Sequence, residues 1–495
     1  MNAIDEVFSI MSIEDKQGFK SYLSKKNKRQ DVQNISFFKF LETDDINVFK
    51  NKYKDKKSAD AYHALRKRVY DSLIEFMANR SFENITSVEH EVLRLLVVGR
   101  VFLEHKLYKT AFKCLAKAEV KALSLEHFNL LNEIYNTQIQ YAHINESISL
   151  DVLIEKHKTN RERLYKEEQL NLGYAILRRE LAAIYHEGKV VDFRSLIKST
   201  MESLAISFEE VLTFKSLYQM LFIANEYASI NSNFGLIEPF VEKSFAFISH
   251  KKELGEKHLY YHIYILYFIA NIHFRNHRFK TSLEYLARMN EQMQLQGGKY
   301  KKRFSLRWSL LLALNEHYSG SPEKAIDIAQ KAMTSQKGAD PVDVNDLNIS
   351  LAGFYLQKGD KAVFKCMRQF THTDGWYEKR MGKDWAIKKV LLEIVMHIEF
   401  DDSEQALYRI KAFKRRYKKY LSEVKENRVL DYVQLIEKYI LNPNSSVTAV
   451  FKNKLHTLTN EVQTSQDVFV LSFMGWLTAK VERKPVYETI LSLLK

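Results

Sequence analysis

The stretch IANIHFRNHRFKTSLEYL, residues 269–286, decides the fold. It holds two histidines four apart, three basic side chains and a row of aromatics, so a metal site, a nucleic-acid contact and the corner of a packed helical hairpin compete for it. Periodicity separates them. Leu266, Ile269, Ala270 and Phe274 share one helical face, and after a break at residues 276–279 a second face follows with Ser282, Leu283, Leu286 and Met289. The spacing predicts two amphipathic helices folded back on each other through a tight turn.

The same skeleton stands upstream at Leu95, Val98, Gly99 and Phe102, then Tyr108, Ala111, Leu115 and Ala118, with LEHKL as the turn. It returns downstream at Leu312, Ala313, Glu316 and Gly320, then Ala325, Ala329 and Ala332, where Ser321 is placed to cap the second helix and Pro322 to open it. A small residue recurs where the two helices of each hairpin must cross, because closely approaching backbones leave room only for Gly, Ala or Ser. The pairs Gly99/Ala111, Ala270/Ser282 and Ala313/Ala325 are each separated by twelve residues. This pattern resembles the tetratricopeptide repeat (TPR) family of helical hairpins. Looser copies stand at LAAIYHEGKV (181–190), IANEYASINSNF (223–234), LAGFYLQKGDKA (351–362) and SEQALYRIKAF (403–413). The resemblance implies an all-α fold, an α-solenoid of TPR-like hairpins, with a surface that binds a protein or peptide partner without catalysing a reaction.

Composition agrees with helix almost throughout. Only 15 glycines and 5 prolines punctuate 495 residues, too few for a chain of strands and tight turns. The array is expected over 86–440. Residues 1–85 read as an N-terminal helical bundle: Ser12 and Asp15 form a capping-box variant, Phe19 and Leu23 share a face, and AYHALRKRVYDSLIEFM (61–77) is amphipathic. Residues 441–495, from the loop LNPNSS, form a C-terminal helical cap, since the ends of a repeat stack must cover apolar faces. Cys114 and Cys366 are far apart and make no C-x-x-C pair, and the acidic start MNAIDEVFSI is unlike a secretion signal, so a cytoplasmic protein is expected. The Lys, Asn and Ile content suggests a bacterial source. Leu259 to Phe274 is the most membrane-like stretch, yet it falls short of the roughly 20 residues of a span and carries His262, Asn271 and His273.

Catalytic motifs are absent from the sequence. His258/His262 and His273/His277 have the i, i+4 spacing that zinc uses, but neither pair has a glutamate beside its first histidine, and the second straddles the turn. No phosphate loop, G-x-G-x-x-G or G-x-S-x-G stands in the chain, and Gly297-Gly298 reads as a linker in MQLQGGKYKKRF. The acid pairs Glu209/Glu210 and Asp401/Asp402 read as solvated faces or caps. No enzyme activity, cofactor or metal is therefore expected, a metal-dependent enzyme being the remotest alternative.

Charge gives the other signal. The net charge is +14, and KYKKRFSLR (299–307) and RIKAFKRRYKKY (409–420) contain no acid. On a helix Lys411, Lys414, Arg415 and Lys418 form one stripe, with Phe413, Tyr417 and Tyr420 turned toward the core. With Lys301, Lys302 and Arg303 they are the candidate contacts for an acidic partner or a polyanion. The alternative function is accordingly an RNA- or ribosome-associated factor gripping the phosphate backbone, and a merely solvated basic surface is the plain alternative to both.

Overall fold

The structure, a computed structural model, describes residues 4, 7–8, 11, 13–26, 33–42, 56–83, 88–144, 149–187, 191–206, 213–230, 234–334, 339–424, 426–444, 448–465 and 468–494. Among them every regular element is helical. The chain divides into two compact units, Met1–Arg161 and Glu162–Lys495. These units follow packing, whereas the segments 1–85, 86–440 and 441–495 follow sequence character, so the first hairpin shares a unit with the N-terminal bundle.

In the first unit, α1 (Ile13–Lys26), α2 (Gln33–Glu42) and α3 (Lys56–Glu83) close around Phe19, Leu23, Phe37, Phe38, Leu65 and Phe76. Gly18 makes this approach possible, since a Cβ there would stand 3.1 Å from the Phe76 ring. The expected capping box falls on Ser12, outside the described residues; Asp15 pairs with Arg80 at 3.2 Å. Next come α4 (Val88–Glu104), α5 (Tyr108–Ser124) and α6 (Phe128–Gln140), then α7 (Leu150–Ala182), which begins in this unit and continues past its end. The stripe that α4 buries is Val92, Leu96, Gly99 and Leu103, not the expected Leu95, Val98, Gly99 and Phe102; Val98 is exposed. Both stripes pass through Gly99 at helical spacing. The buried one also serves the neighbours α3 and α6, which turns the helix by one position.

In the second unit a π-helical turn, Ala183–Glu187, follows α7 and leads to α8 (Phe193–Ser203), α9 (Phe214–Ile230), α10 (Glu238–His250) and the short α11 (Lys252–Gly255). Paired helices then dominate: α12 (Leu259–Arg275) with α13 (Phe279–Gly298), α14 (Lys301–Tyr318) with α15 (Pro322–Thr334), and α16 (Pro341–Gln357) with α17 (Ala362–Met367). After α18 (Asp374–Met381), α19 (Lys383–Glu399) pairs with α20 (Ser403–Glu423). The chain ends in α21 (Asn427–Leu441), α22 (Ala449–Ser465), α23 (Val468–Glu482) and α24 (Val486–Leu493). One continuous apolar core runs from Phe214 to Leu494.

A single turn design joins the hairpins. Lys106, His277, Gly320, Gly359 and Asp401 all have positive φ. The following N–H donates to the carbonyl five residues back, from Leu107 to Phe102 (2.8 Å), Arg278 to His273 (2.8 Å), Ser321 to Glu316 (2.9 Å), Asp360 to Tyr355 (2.9 Å) and Asp402 to His397 (2.8 Å). This is the Schellman ending of a helix, which satisfies its last carbonyls while reversing the chain. Seven residues before these turns lie Gly99, Ala270, Ala313, Ala352 and Ile394, all buried.

The crossings are as close as the small residues demand. Ser282 Oγ donates to the Ala270 carbonyl at 2.7 Å, and a Cβ on Gly99 would meet Leu115 at 3.2 Å. The shared turn also sets the register of two looser copies, with Ala352 and Ile394 at the crossing. For the copies at 181–190 and 223–234, residues 188–190 and 231–233 lie outside the described residues. Gly297 and Gly298, both of positive φ, carry the chain out of α13, in keeping with the linker reading.

Candidate functional site

The first helices of successive hairpins carry apolar residues on more than the face that meets their partners, and the second face lines a cavity of about 270 Å³ in the second unit. Tyr267, Asn271, Phe274 and Arg275 come from α12, at i, i+4, i+7 and i+8. Leu310, Leu311, Leu314 and Tyr318 of α14 continue the wall, followed by Asp346, Ile349, Ser350 and Gly353 of α16. Trp385, Lys388, Leu392 and Val395 of α19 face them, and Phe469, Ser472, Phe473 and Trp476 of α23 complete the lining. This double use explains the membrane-like look of residues 259–274. Among the described residues no helix is long and apolar enough to cross a membrane.

Helix α23 is fastened in place by polar bonds. Trp476 Nε1 donates to Glu399 at 2.6 Å, Lys480 Nζ to the other oxygen of Glu399 at 2.8 Å, and Ser472 shares a hydrogen bond with Tyr318 at 2.9 Å. Behind the wall His317 is fully buried, stacked on Phe354 at 4.2 Å and bonded to Gln357 at 2.8 Å. Burial lowers its pKa to about 4 and keeps it neutral.

The polar groups of the lining gather on α12, α16 and α19. Asp346 accepts a bond from Trp385 Nε1 at 2.8 Å. Burial, more than any neighbour, raises its pKa to about 6, and Asp343 adds to the effect. Asn271 donates to Asn225 of α9 at 2.9 Å. Arg275 and Lys388 both stand over the Phe469 ring, 5.1 and 5.4 Å from its centroid. At Gly353 a Cβ would meet nothing within 4 Å. That glycine leaves open space inside a helix, where Ala would otherwise be preferred.

The sequence-predicted cations lie elsewhere. Lys411, Arg415 and Lys418 are exposed on α20 and take no ion-pair partner among the described residues, while half-buried Lys414 pairs with Glu437 of α21. Phe413 and Tyr417 are buried and Tyr420 is half-buried, as the stripe required. Other cations of the acid-free run find acids on neighbouring helices: Arg416 pairs with Glu378, and Arg409 with Asp374 and Glu393, which also hold buried Lys389. Lys301, Lys302 and Arg303 are exposed at the start of α14, Lys301 reaching Gln294 at 3.3 Å, while Arg307 turns inward to Asp343 at 2.8 Å. The structure therefore does not bring the two basic clusters together with the cavity.

The histidine pairs are built into packing. His258 and His262 both lie against Phe214, His273 stacks on Tyr285, and His277 is the turn residue stacked on Phe279. Asp401 is likewise a turn residue and Asp402 caps α20, whereas Glu209/Glu210 lie outside the described residues. Among the described residues no cluster of three or more metal-ligating side chains occurs. No protein-family model, curated protein or solved structure matches the chain.

The cavity itself was not found from the sequence. Its signal was present in LYYHIYILYFIANIHF, which is apolar on more of its circumference than one hairpin partner covers. Gly353 in the middle of α16 was a second sign, since glycine inside a helix costs stability unless space is needed.

Proposed function

We propose that the chain is a TPR-like α-solenoid and that its cavity binds a segment of a protein or peptide partner, making it a non-catalytic scaffold or regulator. The observation that carries this reading is the lining: first helices of successive hairpins, together with α23, turn regularly spaced apolar and polar residues into one space. Apolar walls supply burial and a few placed polar groups supply orientation, the usual division of labour in a binding pocket. The repeated Schellman turns and twelve-residue crossings support the hairpin-repeat part of the proposal.

The test is capture of partners from lysate by the full chain and by Gly353→Phe, each with and without nuclease. The variant extends a side chain into the cavity from a position where a Cβ meets nothing within 4 Å. Proteins retained by the wild type through nuclease and lost with Gly353→Phe are the expected result. Proteins that ignore Gly353→Phe but vanish with nuclease and with Lys411→Glu, Arg415→Glu and Lys418→Glu combined would replace this reading by the polyanion one.

A further inference from the structure

From the helix that carries the acid-free run we infer that α20 binds single-stranded nucleic acid, with Lys411, Arg415 and Lys418 on the phosphates and Tyr408 stacked on a base. The inference is independent of the peptide-binding reading above, since none of these residues lines the cavity, and either can fail without the other.

Two observations carry it. The first is which cations the neighbouring helices leave alone. Asp374 and Glu393 take Arg409, Glu378 takes Arg416 and Glu437 takes Lys414, whereas Lys411, Arg415 and Lys418 are exposed without an ion-pair partner among the described residues. Packing thus neutralises both flanks of α20 and leaves one row of charge along it. At 1.5 Å per residue the three cations stand about 6 and 4.5 Å apart along the axis, steps of the order of neighbouring phosphates on an extended strand. A membrane surface is a plane of charge and would use cations on the flanks as well, but a linear polyanion needs only the row.

The second is the ring that continues the row. Tyr408 lies three residues before Lys411, hence on the same face, and at 66% exposure it is the most exposed Phe, Tyr or Trp among the described residues. It makes no hydrogen bond, ring stack or cation contact among them. A ring held in water beside a row of cations offers a flat face next to phosphate-binding groups, and every nucleobase has a π-face to match it. An acidic peptide would use the cations but has nothing in its carboxylates to lay on the ring. In a duplex the base faces are already covered by their neighbours, which leaves the single strand. Glu404, one turn before Tyr408, and Glu423, 3.9 Å from Lys419, bound the row, so the contact is a short one.

The probes are fluorescein-labelled oligouridylate and oligodeoxythymidylate of about 12 nucleotides. Binding to the full chain is read by fluorescence anisotropy at about 50 mM salt. Binding of one or both is the expected result, and the arm that binds names RNA or DNA as the source. Tyr408→Ala should weaken it at least about fivefold, the low end of what one base stack supplies, while Tyr408→Phe should keep it near wild type. Inorganic polyphosphate, which has the charges and no bases, should compete with an affinity that Tyr408→Ala leaves unchanged. Oligonucleotide binding indifferent to Tyr408→Ala removes the base stack and overturns the inference, as does equal affinity for the duplex of oligodeoxythymidylate with oligodeoxyadenylate. Preference for polyglutamate over both oligonucleotides would assign the row to an acidic protein segment, and binding of phosphatidylserine vesicles without oligonucleotide binding would assign it to a membrane surface; either result overturns it. Binding of neither oligonucleotide overturns it outright.

Discussion

Asp346 shows how a single side chain ties the cavity to stability. Its carboxyl is half-buried beside Trp385, and burial raises its pKa from an ordinary carboxylate value to about 6. A raised acid pKa means the folded chain holds the proton more tightly than the unfolded chain, so the aspartate favours folding at low pH. That contribution is full below the unfolded value near 4 and disappears as pH rises through about 6. Asp346→Asn keeps an oxygen for Trp385 and removes the titration. In urea unfolding the variant should match wild type near pH 4 and exceed it by roughly 1–3 kcal/mol at pH 7.5. An equal difference at both pH values would place the carboxylate in water. Nothing in the sequence around VDVNDLN marks Asp346 as different from Asp343, because the tryptophan and the burial come from a helix 39 residues on. By contrast Gly99, Ala270 and Ala313 were legible, since the twelve-residue crossing is a local rule of the hairpin.

At the scale of elements, the hairpin is the unit that sequence expresses best. Each half can be read from its own apolar spacing, and the turn from the small residues around it. Reading weakened where a crossing keeps only one small residue, as at Ile394/Ala406 and Ala352/Phe364, although the backbone of the turn is the same there. The turn depends on left-handed backbone, so residue type at that position should act through strain. Gly320 has φ 99° with open space around it, and Gly320→Ala should therefore cost about 1–2 kcal/mol from backbone strain alone. Lys106 is exposed and held at φ 61°, and Lys106→Gly should raise stability by up to about 1 kcal/mol, reduced by the added freedom of glycine in the unfolded chain. Urea midpoints for the two variants should move in opposite directions. Movement in the same direction would mean that contacts, not φ, govern these turns.

At the scale of the whole molecule, charge was the least legible property. The run RIKAFKRRYKKY contains no acid, yet Glu378, Glu393 and Glu437 reach it from three other helices. Glu378 and Glu393 take Arg416 and Arg409, outside the stripe; of the stripe itself only Lys414 is paired, with Glu437, and Lys411, Arg415 and Lys418 are exposed without ion-pair partners among the described residues. Salt distinguishes their use from use of the cavity. Three cations on a single-stranded polyanion give a slope near −2 in log affinity against log salt, so going from 50 to 200 mM should weaken binding of a labelled oligouridylate roughly twentyfold. Combining Lys411→Glu, Arg415→Glu and Lys418→Glu should abolish any oligouridylate binding, whereas Gly353→Phe should leave it unchanged, because the stripe is not part of the cavity lining. Oligouridylate affinity that ignored salt, or that survived the three reversals, would place polyanion binding elsewhere on the molecule.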